Sequence, residues 1–242
     1  SWGAYGIHPY VLLNYQGTLD HVFTLAHEMG HALHSYYSDS NQSYINAGYK
    51  IFVAEVASTC NESLLIHYSL KNTDNKAEKA YLINHFLEQF KGTLYRQTMF
   101  AEFEKITHKM VEEGETLTSD ILCKVYYDLN KQYFGEDMVL DEEIALEWAR
   151  IPHFYNPFYV SQYATGISAA IALSKKIMEQ GEAGVKDYMK FLTGGGSKDP
   201  IELLKLAGVD MTTKEPIEKA LELFKELLDQ MEQSFLSIDT NE

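Results

Sequence analysis

Cysteine is scarce. Only Cys60 and Cys123 occur among 242 residues, each inside a helix-patterned stretch, and no spacing suggests a disulfide framework. A reducing compartment, the cytoplasm, is the expected location. No run of 18 or more apolar residues is present, and no basic segment leads into an apolar one, so neither a membrane span nor a signal peptide is expected. Positive charge is also in short supply. Twenty Lys and Arg stand against 35 Asp and Glu, a formal charge of −15, which argues against nucleic acid as a partner because phosphate backbones need a basic footprint. An initiating Met is lacking as well. The chain opens at Ser1 and enters an aromatic, apolar run from Trp2 to Tyr15, whereas native termini are usually polar; the expectation is a fragment whose upstream part is missing.

What is present is helix. The run 8–15 has strand character and closes at the turn Gln16-Gly17-Thr18. Helices are then predicted over about 20–37 with Asp20 as cap, 49–70, 75–113, 119–134, 142–150, 156–180, 182–192, 200–207 and 215–234. Asn156-Pro157 is read as a cap and first-turn pair. Ile217, Leu221, Phe224 and Leu228 are expected to form the inward face of the last helix. The Gly194-Gly195-Gly196 segment is read as a flexible connector, since it lacks phosphate-loop spacing. The predicted fold is mainly α, with a short β segment near the N-terminus, in one domain spanning residues 1–242.

His27-Glu28-Met29-Gly30-His31 is H-E-x-x-H within a helix. Four positions advance slightly more than one turn, so both imidazoles leave one face, while Glu28 lies about 100° round the helix. Two imidazoles suit zinc, a catalytic zinc site takes three protein ligands, and Glu28 is placed to serve as general base toward a water on the metal. The flanking residues Val22, Phe23, Leu25, Ala26, Ala32 and Leu33 are apolar, which argues against an ordinary solvated turn. Glu55 lies in the apolar stretch Phe52 to Ser58, where a lone carboxylate is destabilising, and is the candidate third ligand. Glu62, seven residues on, is a candidate acceptor for the far N–H of a ligating histidine. His34 shares the face of His27 and His31 but would close the open coordination position, so packing, or support of a ligating group from behind, is the reading for it; His21 is read as a helix-start residue.

HEMGH followed by FVAEVASTCNE, SWGAYGIHPYVLLNYQG upstream, and PHFYNPFYVSQYATG and GGGSKDPIELLKLAGVDM downstream together resemble the oligoendopeptidase F group of the thimet oligopeptidase family of zinc peptidases. The resemblance runs nearly end to end. It implies a zincin-like helical catalytic core, one Zn2+ per chain held by His27, His31 and Glu55, and cleavage inside short peptides. It covers the C-terminal catalytic part of that family, which implies a missing N-terminal lobe as the partner of this segment. It also implies that His153, Tyr159 and Tyr163 bind substrate and stabilise the oxyanion, with Tyr155 competing for one of these places. Asn156-Pro157 departs from the family's pattern and leaves the shape of that turn open.

Two other readings stand beside this one. A fragment could bind zinc and peptide without turnover. A zinc aminopeptidase shares H-E-x-x-H with a distant Glu, but holds its substrate amine with a G-x-M-E-N type sequence that does not occur here.

Overall fold

Apolar residues at spacings of three and four dominate the chain, and helix is the result. The computed structural model describes residues 1–239. These form α1 (Leu19–Asn41), α2 (Tyr44–Ala47), α3 (Ile51–Asn72), α4 (Lys76–Gln89), a π-helical turn over Phe90–Tyr95, α5 (Arg96–Glu112) and α6 (Ser119–Phe134). Two 3-10 segments, Glu142–Arg150 and Pro152–Tyr155, precede α7 (Ser161–Gln180), α8 (Glu182–Leu192), α9 (Pro200–Leu206) and α10 (Glu215–Asp239). The cap of α1 is Thr18, whose hydroxyl accepts the His21 N–H at 3.3 Å. Asp20 falls instead in the first turn, where its charge suits the helix N-terminus.

The chain packs as two compact units. One comprises Ser1–Gln89 with the residues from Thr165 onward, and the other Phe90–Ala164. In the first unit, Val53, Val56, Ala57 and Cys60 of α3 pack with Ala169, Ala170 and Leu173 of α7, Phe191 of α8 and Leu203 and Leu204 of α9. Cys60 and Cys123 are both free thiols. In the second unit, Met99, Phe100 and Phe103 of α5 meet Tyr126 and Leu129 of α6, with Ile151 and Val160 completing the cluster. Glu147 ties that unit together: it accepts the Tyr126 hydroxyl at 2.6 Å and pairs with both Arg96 and Arg150.

Helix α1 lies directly on α3, and Gly30 is why. A Cβ at Gly30 would come within 2.5 Å of Ser58 Cα and 2.7 Å of the Ala57 carbonyl oxygen, both backbone atoms that cannot swing aside. Gly30→Ala is therefore expected to push the two helices apart and cost about 1–3 kcal/mol. A thermal melt should register this as a fall in Tm of roughly 2–10 °C. An unchanged Tm would mean that the crossing is looser than these distances.

Several expectations need correction. The segment 8–15 is not a strand: pairing is limited to one antiparallel bridge, Trp2 with Tyr10, closed by two backbone hydrogen bonds of 2.8 Å. Pro9 has no N–H to offer, and a single partner residue cannot support a ladder. The helix expected over 75–113 is interrupted by the π-helical turn at Phe90–Tyr95. That over 156–180 begins only at Ser161, because Phe158 has φ 59° and breaks the helical path. The last helix turns a different stripe inward. Ala220 and Leu227 are buried while Ile217, Leu221 and Leu228 are exposed, so the inward seam sits one position away from the predicted one. The glycine connector is docked, not loose: Gly196 N–H donates to the Asn46 carbonyl at 2.7 Å, and Gly194 and Gly195 are buried.

Candidate metal centre

The H-E-x-x-H turn of α1 faces α3 at the Gly30 crossing, which brings His27, His31 and Glu55 to one point. His27 Nε2 lies 3.1 Å from His31 Nε2 and 3.2 Å from Glu55 Oε2, and His31 Nε2 lies 3.4 Å from the same oxygen. Gly166 on α7 lies beside Glu55: a Cβ there would sit 3.8 Å from Glu55 Cβ, an ordinary van der Waals contact.

At this separation a proton or a cation must lie among the three atoms. His27 Nδ1 lies 2.8 Å from Glu62 Oε1; a carboxylate only accepts, so the ring proton sits on Nδ1 and Nε2 of the neutral ring presents a lone pair to Glu55. A proton on a ring Nε2, or a metal cation at the common point, relieves that repulsion. Ligands on a tetrahedral zinc with bonds of 2.0–2.1 Å lie about 3.3 Å apart, so the donor spacing fits that ion. With no metal ion at that point, the ionisation preferences favour the proton. Burial alone would depress His27, but hydrogen bonds to Glu55 and Glu62 outweigh it and push the imidazole up to about 10. Hydrogen bonds from His27 and His31 hold the Glu55 carboxyl far below the usual carboxylate range.

Glu28 is not one of the three converging residues. Burial would raise its carboxyl, but the hydrogen bond and charge of the Ser1 amino group, then the charges of His31 and His27, bring it below its ordinary value. The Ser1 contribution belongs to a free amino group; a peptide bond at that nitrogen would remove it.

The surroundings contain residues that the sequence did not single out. Gln89, the last residue of α4, donates to Glu62 Oε2 at 2.7 Å, so both oxygens of Glu62 are engaged and its plane is fixed for His27. Ser58 donates to Glu55 Oε2 at 3.1 Å, and Asn61 donates to the Ala26 carbonyl at 3.2 Å, lacing α3 to α1. A polar residue three positions after Glu55 was a usable signal for Ser58. Nothing in the pattern marks Gln89.

Of the two roles open to His34, the structure shows packing. It is fully buried, stacks on Tyr49 with ring centroids 3.8 Å apart, and neither ring nitrogen has a hydrogen-bond partner. Burial, then the nearby His31 charge, pushes its pKa down to about 3 from 6.5. The unfolded chain therefore binds a proton that the folded one refuses, and His34 withdraws stability as pH falls from about 6.5 toward 3, at roughly 1.4 kcal/mol per unit. His34→Phe is expected to flatten this acid limb, with an advantage over the parent of roughly 2 kcal/mol at pH 5. Urea titrations at pH 7 and pH 5 would measure it; equal pH slopes in the two proteins would show that His34 is not the group responsible.

His153, Tyr159 and Tyr163 lie in the second unit and are gathered together there. The His153 ring is 5.6 Å from that of Tyr159 and 6.1 Å from that of Tyr163, and the two phenolic oxygens are 3.5 Å apart. Tyr155, the competing choice, is 87% exposed and takes no part in these ring contacts.

The sequence pattern of Peptidase family M3 matches residues 5–223. Oligopeptidase PepF of Bacillus subtilis (strain 168) is 54% identical over 238 residues, 98% of this chain and 36% of that relative. The chromosomal oligoendopeptidase F of Lactococcus lactis subsp. cremoris is 44% identical over 232 residues, 96% of this chain and 38% of its own length. The crystal structure of oligoendopeptidase-F from Enterococcus faecium superposes with a TM-score of 0.81 at 46% identity, covering 90% of this chain and 39% of that one. The chain thus spans well under half the length of the curated relatives it matches, and among the described residues no helix is long and apolar enough to cross a membrane. The family pattern covers most of the sequence and includes the H-E-x-x-H helix, the Glu55 helix and the His153–Tyr163 segment; the chain belongs to Peptidase family M3.

Proposed function

We propose that residues 1–242 form the catalytic domain of a zinc-dependent endopeptidase acting on internal bonds of short peptides in the cytoplasm, with one Zn2+ per chain. The observation that carries this reading is the convergence of His27 Nε2, His31 Nε2 and Glu55 Oε2 within 3.1–3.4 Å. Zinc held by those three groups would supply Lewis acidity and bring the pKa of a water near ~7. His27 is kept in the ligating tautomer by Glu62, which Gln89 holds in turn. Glu28 takes the proton from the attacking water and returns it to the leaving amine, the two halves of general acid–base catalysis. His153, Tyr159 and Tyr163 act as hydrogen-bond donors to the substrate and to the oxyanion that develops on its carbonyl. The remaining length found in the relatives is the partner this segment works with.

The test joins metal analysis to turnover. Stoichiometric zinc that is lost on replacing His27, His31 or Glu55, together with chelator-sensitive cleavage of an internally quenched peptide blocked at both ends, is expected. Cleavage that survives complete removal of metal would sink the reading, and refusal of end-blocked peptides would redirect it to an exopeptidase.

One observation favours a second reading, a zinc- and peptide-binding segment without turnover. The chain spans 36–38% of the length of those relatives, and a segment that carries metal-binding and substrate-binding groups need not by itself enclose a substrate. Comparing this polypeptide with a longer chain separates the two. Zinc binding without cleavage in both would establish the silent segment.

A further inference from the structure

Among the described residues, one amino acid other than glycine has a positive φ, and it lies between His153 and Tyr163. Phe158, at φ 59°, occupies the third position of a turn in which the Tyr159 N–H donates to the Asn156 carbonyl at 3.2 Å and Pro157 takes the second position. Proline followed by positive φ is the type II arrangement, whose third position calls for glycine. A bulky aromatic residue there is strained. Burial of its own ring does not explain the strain, because Phe158 is 56% exposed.

What holds the turn comes from α5. The Phe158 N–H donates to Glu104 Oε1, and one helical turn along, His108 packs its ring on that of Phe158 with centroids 4.8 Å apart. Glu104 is only 3% exposed, and its other oxygen, Oε2, has no hydrogen-bond partner. A buried carboxyl group with one oxygen unsatisfied weakens the fold relative to an apolar residue. Two unfavourable features, the strained φ and the half-satisfied acid, therefore meet at one peptide N–H. On either side the segment is anchored differently: Phe154 packs on Phe103 and Phe100, and Val160 is buried in the same cluster. Between those anchors, Glu104 sets the path of the backbone.

We propose that Glu104 is a positioning residue, which holds the Asn156–Tyr159 turn in its strained form and thereby fixes the stacked His153 and Tyr159 side chains toward a substrate. This rests on the reading of His153, Tyr159 and Tyr163 as substrate-binding donors. Its logic is preorganisation: donors that are already aimed need not reorganise when charge develops on the substrate carbonyl.

The experiment compares Glu104→Gln, Glu104→Leu, Phe158→Gly and the Glu104→Leu/Phe158→Gly pair in the full chain, using amide hydrogen exchange and peptide hydrolysis. Glutamine keeps an acceptor oxygen for the Phe158 N–H, and leucine does not. Glycine takes the positive φ without strain and so no longer needs the clamp. Glu104→Leu is expected to speed exchange at the amides of residues 158–160 by at least tenfold without a matching change elsewhere, and to lower kcat by roughly ten- to a hundredfold while KM moves less than threefold. Glu104→Gln should stay within about threefold of the parent in both measurements, and Phe158→Gly should restore most of the loss in the pair. Faster exchange spread over the whole second unit, or no recovery on adding Phe158→Gly, would show that Glu104 is a core residue only and overturn the proposal. If the parent cleaves no peptide, the hydrolase reading fails separately, and the local exchange pattern still decides whether Glu104 sets the turn.

Discussion

Glu28→Gln is expected to lower peptide hydrolysis by roughly 10²–10⁴-fold while leaving the zinc content unchanged. The residue sits next to His27 in sequence but outside the converging set of His27, His31 and Glu55, so the substitution leaves those ligands in place. Glutamine matches glutamate in size and can still accept a hydrogen bond, but it cannot carry a proton between water and a leaving amine. At about 1.4 kcal/mol per factor of ten, the loss corresponds to some 3–5 kcal/mol of barrier. Turnover of a quenched peptide, metal content and a thermal melt on the same preparation would check it. The melt matters because a stability change from losing the charge of Glu28 has to be kept apart from the catalytic one. A Glu28→Gln protein with undiminished kcat would move the base to another residue.

The convergence of His27, His31 and Glu55 was legible because helical geometry leaves little freedom. Residues four apart must share a face, and a carboxylate set among Phe52, Val53, Val56 and Ala57 needs a partner. Both inferences are local, and both are met in the structure by the approach of α1 to α3. Gln89 was invisible for the opposite reason. It acts at the end of α4 on Glu62 of α3, 27 residues away, and an amide on an amphipathic helix looks the same whether it is solvated or engaged. Gly30 shows a middle case: the sequence offers a glycine inside a helix, which costs stability by itself, but only the backbone of Ser58 at 2.5 Å from its missing Cβ explains the choice. Turns were read least well. Asn156-Pro157 has the chemistry of a helix start, and the helix fails to start because Phe158 is held at positive φ by Glu104, more than 50 residues upstream. The strand expected at 8–15 failed similarly, since apolar alternation states a tendency, whereas a ladder requires a partner, and only Trp2 supplies one. The inward seam of α10 shifted by one position because apolar residues on that helix form more than one stripe, and tertiary packing selected Ala220 and Leu227.

Glu55→Gln should weaken zinc binding by on the order of a hundredfold or more, a share of the ~10–16 kcal/mol that a full ligand set contributes in structural zinc sites. The amide keeps the volume and the helix but gives up the anionic oxygen on which His27 Nε2 and His31 Nε2 converge at 3.2 and 3.4 Å. Competition with a chromogenic chelator would read the affinity directly, without relying on turnover. Glu62→Gln is the informative control. It touches only the far nitrogen of His27, so it should cost a smaller factor, roughly 10–100-fold. The ordering of the two losses carries the argument: a ligand must matter more than the group that orients a ligand. If Glu62→Gln cost as much as Glu55→Gln, the third donor would have to be sought along α3 and not at Glu55. If neither substitution changed the affinity, the ion would be bound elsewhere, and the convergence of the two histidines on Glu55 would be an ion pair within the core.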